Sequence, residues 1–180
     1  MTLLVSVFAA VISTVIWYKS PSRSELKLGV LCWLFWGASL MWLVDAIFEL
    51  YAKKAEEAGI PFKAEACLDA PVRVSNADLS SLLGNLLTNA FDASGRVDQP
   101  EVEARVLPAK DYLCVYVRNR ADARLLKANP LLHTTKQNPE LHGIGLQVVR
   151  QIAQRYHGWV DISAEGDWFT VQVMLLMEET

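Results

Sequence analysis

The distribution of charge over the first sixty residues narrows the possible folds more than any other feature. Residues 1–18 carry none, residues 19–27 (KSPSRSELK) are polar, and residues 28–44 are again uncharged. Each uncharged run comes close to the roughly 17 to 20 apolar residues that a helix needs to cross a hydrocarbon core of about 30 Å. Trp17 and Tyr18 close the first run and Trp33, Trp36 and Trp42 stud the second, as suits side chains that favour a membrane interface. The pattern predicts two membrane helices joined by a short turn over residues 1–44, with a pair of buried core helices as the alternative. A cleaved signal peptide fits less well, since no Lys or Arg follows Met1 directly and no small-x-small site precedes the polar stretch. Lys19, Arg23 and Lys27 lie in the turn while Lys53 and Lys54 follow the second run, so positive charge does not assign an orientation.

A chain of 180 residues has room for one domain with a proper core and an appendage. Its 17 basic and 20 acidic residues leave a net charge of −3. Mixed as they are along the polar part, they build no basic face, which excludes nucleic acid as a partner. Cys32, Cys67 and Cys114 are far apart and form no CxxC pair, so they read as buried apolar thiols and not as a disulfide framework or zinc site.

After Val44 the pattern becomes amphipathic over residues 45–58, continuous with the second apolar run, and Gly59 is placed to stop it. Residues 60–68 (IPFKAEACL) alternate as a strand, and Pro61 near its start fits an edge. Ser75 then precedes Asp78 by three, a capping pattern ahead of the helix ADLSSLLGNLLTNAFDAS. That helix carries Leu79, Leu82, Leu83, Leu86 and Ala90 on one stripe and Asn85, Asn89 and Asp92 on a second, and Gly95 ends it. Residues 101–107 and 112–118 alternate as strands about a turn at 108–111, and residues 119–141 follow as a long loop holding Pro130, Pro139 and TTKQN. A helix with Leu146, Val149, Ile152, Ala153 and Tyr156 on one face comes next, and strands 159–163 and 168–175 close the chain around Gly166. This order predicts an α/β architecture: a mixed sheet with helices on one face.

The stretch ELHGIGLQVVRQIAQRYHG places Gly143 and Gly145 just before a helix, whose free N–H groups and dipole make an anion seat. A glycine before a helix is also simply a turn, so the motif alone is weak. Thr134, Thr135 and Lys136 in the preceding loop supply hydroxyls and a cation for phosphates, though a solvated loop explains Lys136 equally well. Asn85 and Asn89 lie one turn apart, and an amide oxygen suits Mg²⁺; composition alone favours plain solvation or capping for both.

LLGNLLTNAFDAS resembles the N-box, and HGIGLQVVRQIAQRYHGWVDI the second glycine box, of the superfamily of ATP-binding domains that unites gyrase, Hsp90, histidine kinases and MutL (GHKL). The likeness covers residues 45–176 and is nearest to sensor histidine kinases of the peptide-pheromone, quorum-sensing type, in which a T-T-K stretch also precedes H-G-I-G-L. It implies a two-layer Bergerat-type sandwich over residues 59–180, behind the apolar hairpin (1–44) and a linker helix (45–58). It also implies binding of ATP and Mg²⁺, with Asn89 as the metal ligand and Asp92, Asn119, Thr135, Lys136, His142, Gly143, Ile144, Gly145 and Leu146 around the nucleotide. Asn85 falls where the superfamily's hydrolases place a catalytic Glu, which disfavours hydrolysis and favours phosphoryl transfer to a protein.

The sequence departs from that family at two places. The adenine-recognising D-x-G-x-G stands here as Asn119-Arg120-Ala121-Asp122-Ala123, and residues 1–60 contain no histidine to accept a phosphoryl group. The resemblance therefore implies a membrane-anchored two-component kinase domain, cytoplasmic at the cell membrane, that phosphorylates a partner's histidine. Its implied partners are a sensor kinase or phosphoacceptor protein, a response regulator and a second copy in a homodimer. The alternative is a non-catalytic module that docks to a true sensor kinase.

Overall fold

The apolar spacing changes along the chain from continuous, to helical, to alternating, and the elements follow those changes. A computed structural model describes residues 2–19, 28–68, 74–122 and 144–177. Two helices, α1 (Thr2–Lys19) and α2 (Leu28–Ala58), lead into β1 (Phe62–Ala66), α3 (Asn76–Ser94), β2 (Val102–Ala109) and β3 (Tyr112–Arg120), and then α4 (Ile144–Arg155), β4 (Trp159–Glu165) and β5 (Trp168–Leu176). The long loop expected over 119–141 is shorter at its start because β3 runs on to Arg120, and residues 123–143 lie outside the described residues.

The five strands form one mixed sheet in the order β1-β2-β3-β5-β4. β1 runs parallel to β2, and all other neighbours are antiparallel. Strand alternation turns Val102, Ala104, Val106, Leu113, Val115, Val117, Val171, Val173 and Leu175 inward, and all are buried. Against them α3 lays Leu79, Leu82, Leu83, Leu86, Leu87 and Ala90, and α4 lays Val149, Ile152 and Ala153. Each fully buried Leu here contributes roughly 2 kcal/mol of apolar transfer free energy. Helices on one face of a mixed sheet are the expected architecture.

The opposite face of the sheet is polar. Glu103, buried there, takes a 2.8 Å hydrogen bond from Arg118 Nε and lies 3.6 Å from Lys63 Nζ. The guanidiniums of Arg118 and Arg120 lie 4.3 and 4.0 Å from the Trp168 ring centre. The bond from Arg118 holds the Glu103 carboxyl below the usual glutamate range despite its burial.

The expected turn at 108–111 is tighter than its composition indicates. β2 continues through Pro108, paired with Leu113, to Ala109, and only Lys110 and Asp111 remain as the loop. Proline is tolerated because β1 pairs with β2 no further than Val106, so among the described residues Pro108 has no second neighbour asking for its missing N–H. The thiols of Cys67 and Cys114 are half-buried and not fully buried as expected, Cys114 because it alternates onto the polar face beside Gln172.

α2 is a single helix of 31 residues, joining the second apolar run to the amphipathic segment without a break. Its buried stripe, Leu40, Val44, Phe48, Tyr51 and Ala55, follows helical spacing. An aromatic chain fastens α2 to the domain: Phe48 meets Phe62 of β1 at 6.2 Å, Phe62 meets Phe91 of α3 at 5.3 Å, and Tyr51 stacks on Phe91 at 5.7 Å. Gly59, with φ 67°, closes α2 as Ile60 N–H donates to Ala55 O at 2.9 Å. α1 packs along α2, where Trp36 Nε1 donates to Thr14 Oγ1 at 3.2 Å and Ala10 and Ser39 are fully buried.

Candidate functional site

The site is built where α3 and α4 meet. α3 begins at Ser75, whose hydroxyl accepts from Asp78 N–H at 3.1 Å, as the S-x-x-D spacing predicts. The leucine stripe then commits one face to the core, and the neighbouring face carries Asn85 and Asn89, both half-buried. Asn85 Nδ2 donates to Ser81 O at 2.7 Å, which fixes the orientation of its amide and leaves Oδ1 turned toward α4.

Gly145, in the first turn of α4, lies directly against these amides. A Cβ added there would stand 3.1 Å from Asn85 Oδ1 and 3.2 Å from Asn89 Nδ2, closer than ordinary van der Waals contact. The absence of a side chain therefore lets the opening turn of α4 approach the two asparagines. A helix leaves its first four N–H groups without partners inside the helix, and here that turn faces two side-chain amides. Backbone donors, an amide oxygen and a space kept clear by glycine make a donor set that fits a metal-bound phosphate. Among the described residues no group of three His, Cys, Asp or Glu comes together to hold a metal. An ion at Asn89 would consequently draw most of its ligands from phosphate and water.

At their other ends α3 and α4 are clamped together. Tyr156, just beyond α4, donates its hydroxyl to Asp78 Oδ2 at 2.8 Å and accepts from Ser75 N–H at 2.9 Å. Arg155 Nη1 donates to Asp78 Oδ1, and Ser75 Oγ donates to Asp78 Oδ2 at 2.9 Å. Tyr156 thus occupies the place in the capping box that the third helical residue usually takes with respect to the cap N–H. Burial works against charge on Asp78, but the bonds from Tyr156, Arg155 and Ser75 outweigh it and hold its carboxyl below the usual aspartate range.

The other expected site residues are distributed as follows. Asn119, at the end of β3, is 3 % exposed, and its Nδ2 donates to Arg120 O at 2.8 Å. Asp92 lies on the same stripe of α3 as Asn85 and Asn89, close to a turn beyond Asn89; with Tyr51, Lys54, Thr88, Phe91 and Arg96 it lines a cleft of about 550 Å³ between α2 and α3. Leu146 is half-buried, and the buried face of α4 is carried by Val149, Ile152 and Ala153. Ile144 opens α4. Thr135, Lys136, His142 and Gly143 lie outside the described residues. Tyr156 was legible only as a member of an apolar stripe, and its hydroxyl, the one polar tip on that stripe, was the available signal. Tyr51 carried the same signal on α2.

Comparison with known proteins places the family and the fold. Residues 74–176, more than half of the chain, match the GHKL domain family. No curated protein matches the chain. Among solved structures, the catalytic domain of histidine kinase ThkA aligns at 17 % identity with a TM-score of 0.61, over 75 % of this chain and 90 % of its own. The mycobacterial sensor histidine kinase MprB aligns at 15 % identity and TM-score 0.56, over 77 % and 95 %. The Acinetobacter baumannii histidine kinase AdeS aligns at 13 % and 0.58, over 99 % and 96 %, so that alignment takes in the N-terminal helices as well. At such identities the likeness speaks for the fold, and the family match carries the assignment: the chain belongs to the GHKL domain family.

Proposed function

We propose that this chain is a membrane-anchored histidine kinase-like protein of the peptide-pheromone sensor type, whose domain binds Mg-ATP and hands the γ-phosphoryl group to a histidine of a partner in two-component signalling. The observation that carries this reading is the approach of Gly145 to Asn85 and Asn89, which sets the two sequence boxes side by side. Asn89 would hold the magnesium through its amide oxygen, and the first turn of α4, with Gly143 and Gly145, would seat the phosphates. Thr135, Lys136 and His142 would close over them, and Asn119 would meet the base. When bound, magnesium supplies charge neutralisation of the phosphates. The protein contributes position and preset donors, which cost no reorganisation during transfer.

Asn85 makes the choice between water and protein as acceptor. An amide tied to Ser81 O accepts no proton from water, so this position offers no general base for hydrolysis. In this reading the phosphoacceptor histidine is a partner's; residues 1–60 hold none. Anchoring rests on α2, whose segment Leu34–Ala58 is long and apolar enough to span a bilayer, and on the shorter apolar stretch Val7–Lys19. In this reading residues 1–44 form the hairpin, 45–58 the connecting helix and 59–180 the nucleotide domain.

A second reading, a degenerate module that docks to a sensor kinase without turnover, is favoured by Asn119. Its amide is committed to Arg120 O where relatives carry an acidic adenine contact. The full chain in detergent, titrated with a fluorescent ATP analogue and Mg²⁺, separates the two. Binding is expected, weakened at least tenfold by Asn89→Ala and about tenfold, or roughly 1.4 kcal/mol, by Gly145→Ala. No binding at millimolar nucleotide leaves the docking module as the better description. Phosphoryl transfer is then tested by mixing the chain with a kinase hairpin that carries a histidine.

A further inference from the structure

Tyr51 is the polar exception on the buried stripe of α2. It is 8 % exposed, and its ring stacks on Phe91 with an interplanar angle of 24°. Its hydroxyl lies 3.2 Å from Gly84 O and 2.8 Å from Thr88 Oγ1. A carbonyl only accepts, so the phenol proton goes to Gly84 and the Thr88 hydroxyl donates to the phenol oxygen. Both capacities of the phenol are thereby used by a single turn of α3.

That turn is the one bearing the candidate site. Gly84 and Thr88 immediately precede Asn85 and Asn89, and successive residues lie about 100° apart around a helix. Tyr51 therefore holds the back of the turn whose adjoining face presents the two amides to Gly145. Apolar contacts such as Phe48 on Phe62 tolerate small sliding with modest loss, whereas a buried phenol with two directed partners has one satisfied position. The space between Gly145 and the two amides is too narrow for even one added carbon, so a displacement of α3 by a few tenths of an ångström changes a large part of it.

We propose that Tyr51 is a positioning residue for the nucleotide cleft: by bonding Gly84 and Thr88 it sets how Asn85 and Asn89 face Gly145, and makes nucleotide affinity depend on the placement of α2. The inference rests on the nucleotide-binding reading above. It assigns to α2, beyond anchoring, a direct mechanical hold on the metal-binding turn.

Tyr51→Phe keeps the ring, its stacking and its burial and removes only the hydroxyl. In the full chain in lipid nanodiscs, this variant is expected to exchange the backbone amides of residues 84–89 about tenfold faster in the absence of nucleotide. Its dissociation constant for the fluorescent ATP analogue with Mg²⁺ is expected to rise about fivefold. Thr88→Val should act in the same direction but less, since it leaves the bond to Gly84, and the double variant should be little worse than Tyr51→Phe alone, which already breaks the contact with Thr88. A merely structural role lowers the thermal midpoint but leaves affinity per folded molecule and local exchange untouched, and that result overturns the inference. If the parent chain binds no nucleotide, the functional reading itself falls, and this is seen before any variant is made. The exchange measurement still decides in that case whether Tyr51 holds α3.

Discussion

His157 holds φ at 48°, a left-handed conformation that costs a side chain of L configuration roughly 1 kcal/mol. A glycine stands next to it, yet the geometry uses that glycine for something else. A Cβ on Gly158 would lie 1.7 Å from Met174 O, so the chain can pass β5 at this point only without a side chain. Gly158 N–H donates to Ala153 O at 2.8 Å and His157 N–H to Gln154 O at 3.1 Å, which closes α4 with His157 in the place that glycine normally takes. His157→Gly should therefore stabilise the fold by about 0.5 kcal/mol after the added freedom of the unfolded chain is subtracted. Gly158→Ala should cost at least about 2 kcal/mol, because the clash is with backbone. Thermal unfolding followed by tryptophan fluorescence checks both; a lower midpoint for His157→Gly would refute the assignment of strain.

At the scale of elements, α3 and α4 act as a pair pinned at one end, with the proposed nucleotide site at the other. The pin is Asp78, whose carboxyl is held below the usual range by Tyr156, Arg155 and Ser75. A depressed folded-state pKa gives stability that is present above the unfolded value, about 4, and is lost as pH falls through the folded value. Asp78→Asn should consequently destabilise the chain by about 1 kcal/mol at neutral pH and by progressively less below about pH 4. Arg155 is largely solvent-exposed, so the bond from Tyr156 should carry most of the effect. A stability difference constant from pH 7 to pH 3 would remove Asp78 from this role. The cap itself was legible, since Ser75 and Asp78 are close in sequence and the spacing has a direct geometric meaning. The partner was not, because Tyr156 lies 78 residues away and only the antiparallel packing of the two helices brings it near. The same reason explains the rest of the site. Asn85 and Asn89 were recognisable on one helix and Gly145 on another, but that Gly145 lies beside both amides follows from packing.

For the whole molecule, the decisive property is the apolar exterior of the N-terminal helices. Phe8 and Ile12, one turn apart on α1, are 61 % and 57 % exposed, and Leu34 on α2 is 67 % exposed. Such a surface is costly in water and ordinary in lipid. The chain should remain with membranes after washing in alkaline carbonate, and Phe8→Arg with Ile12→Arg should reduce that retention, at about 2.5 to 3.5 kcal/mol per charge near the centre of the bilayer. Recovery of the parent chain in the supernatant would show that the helices meet protein instead. A helix of 31 residues rises roughly 46 Å, half as long again as a hydrocarbon core of about 30 Å. Its excess turns are those that carry Phe48, Tyr51 and Ala55 onto the domain. In the anchored reading proposed above, α2 runs without a break from the lipid to these contacts. The domain would then be carried at one height above the bilayer, and an acceptor imidazole would have to be brought to it there.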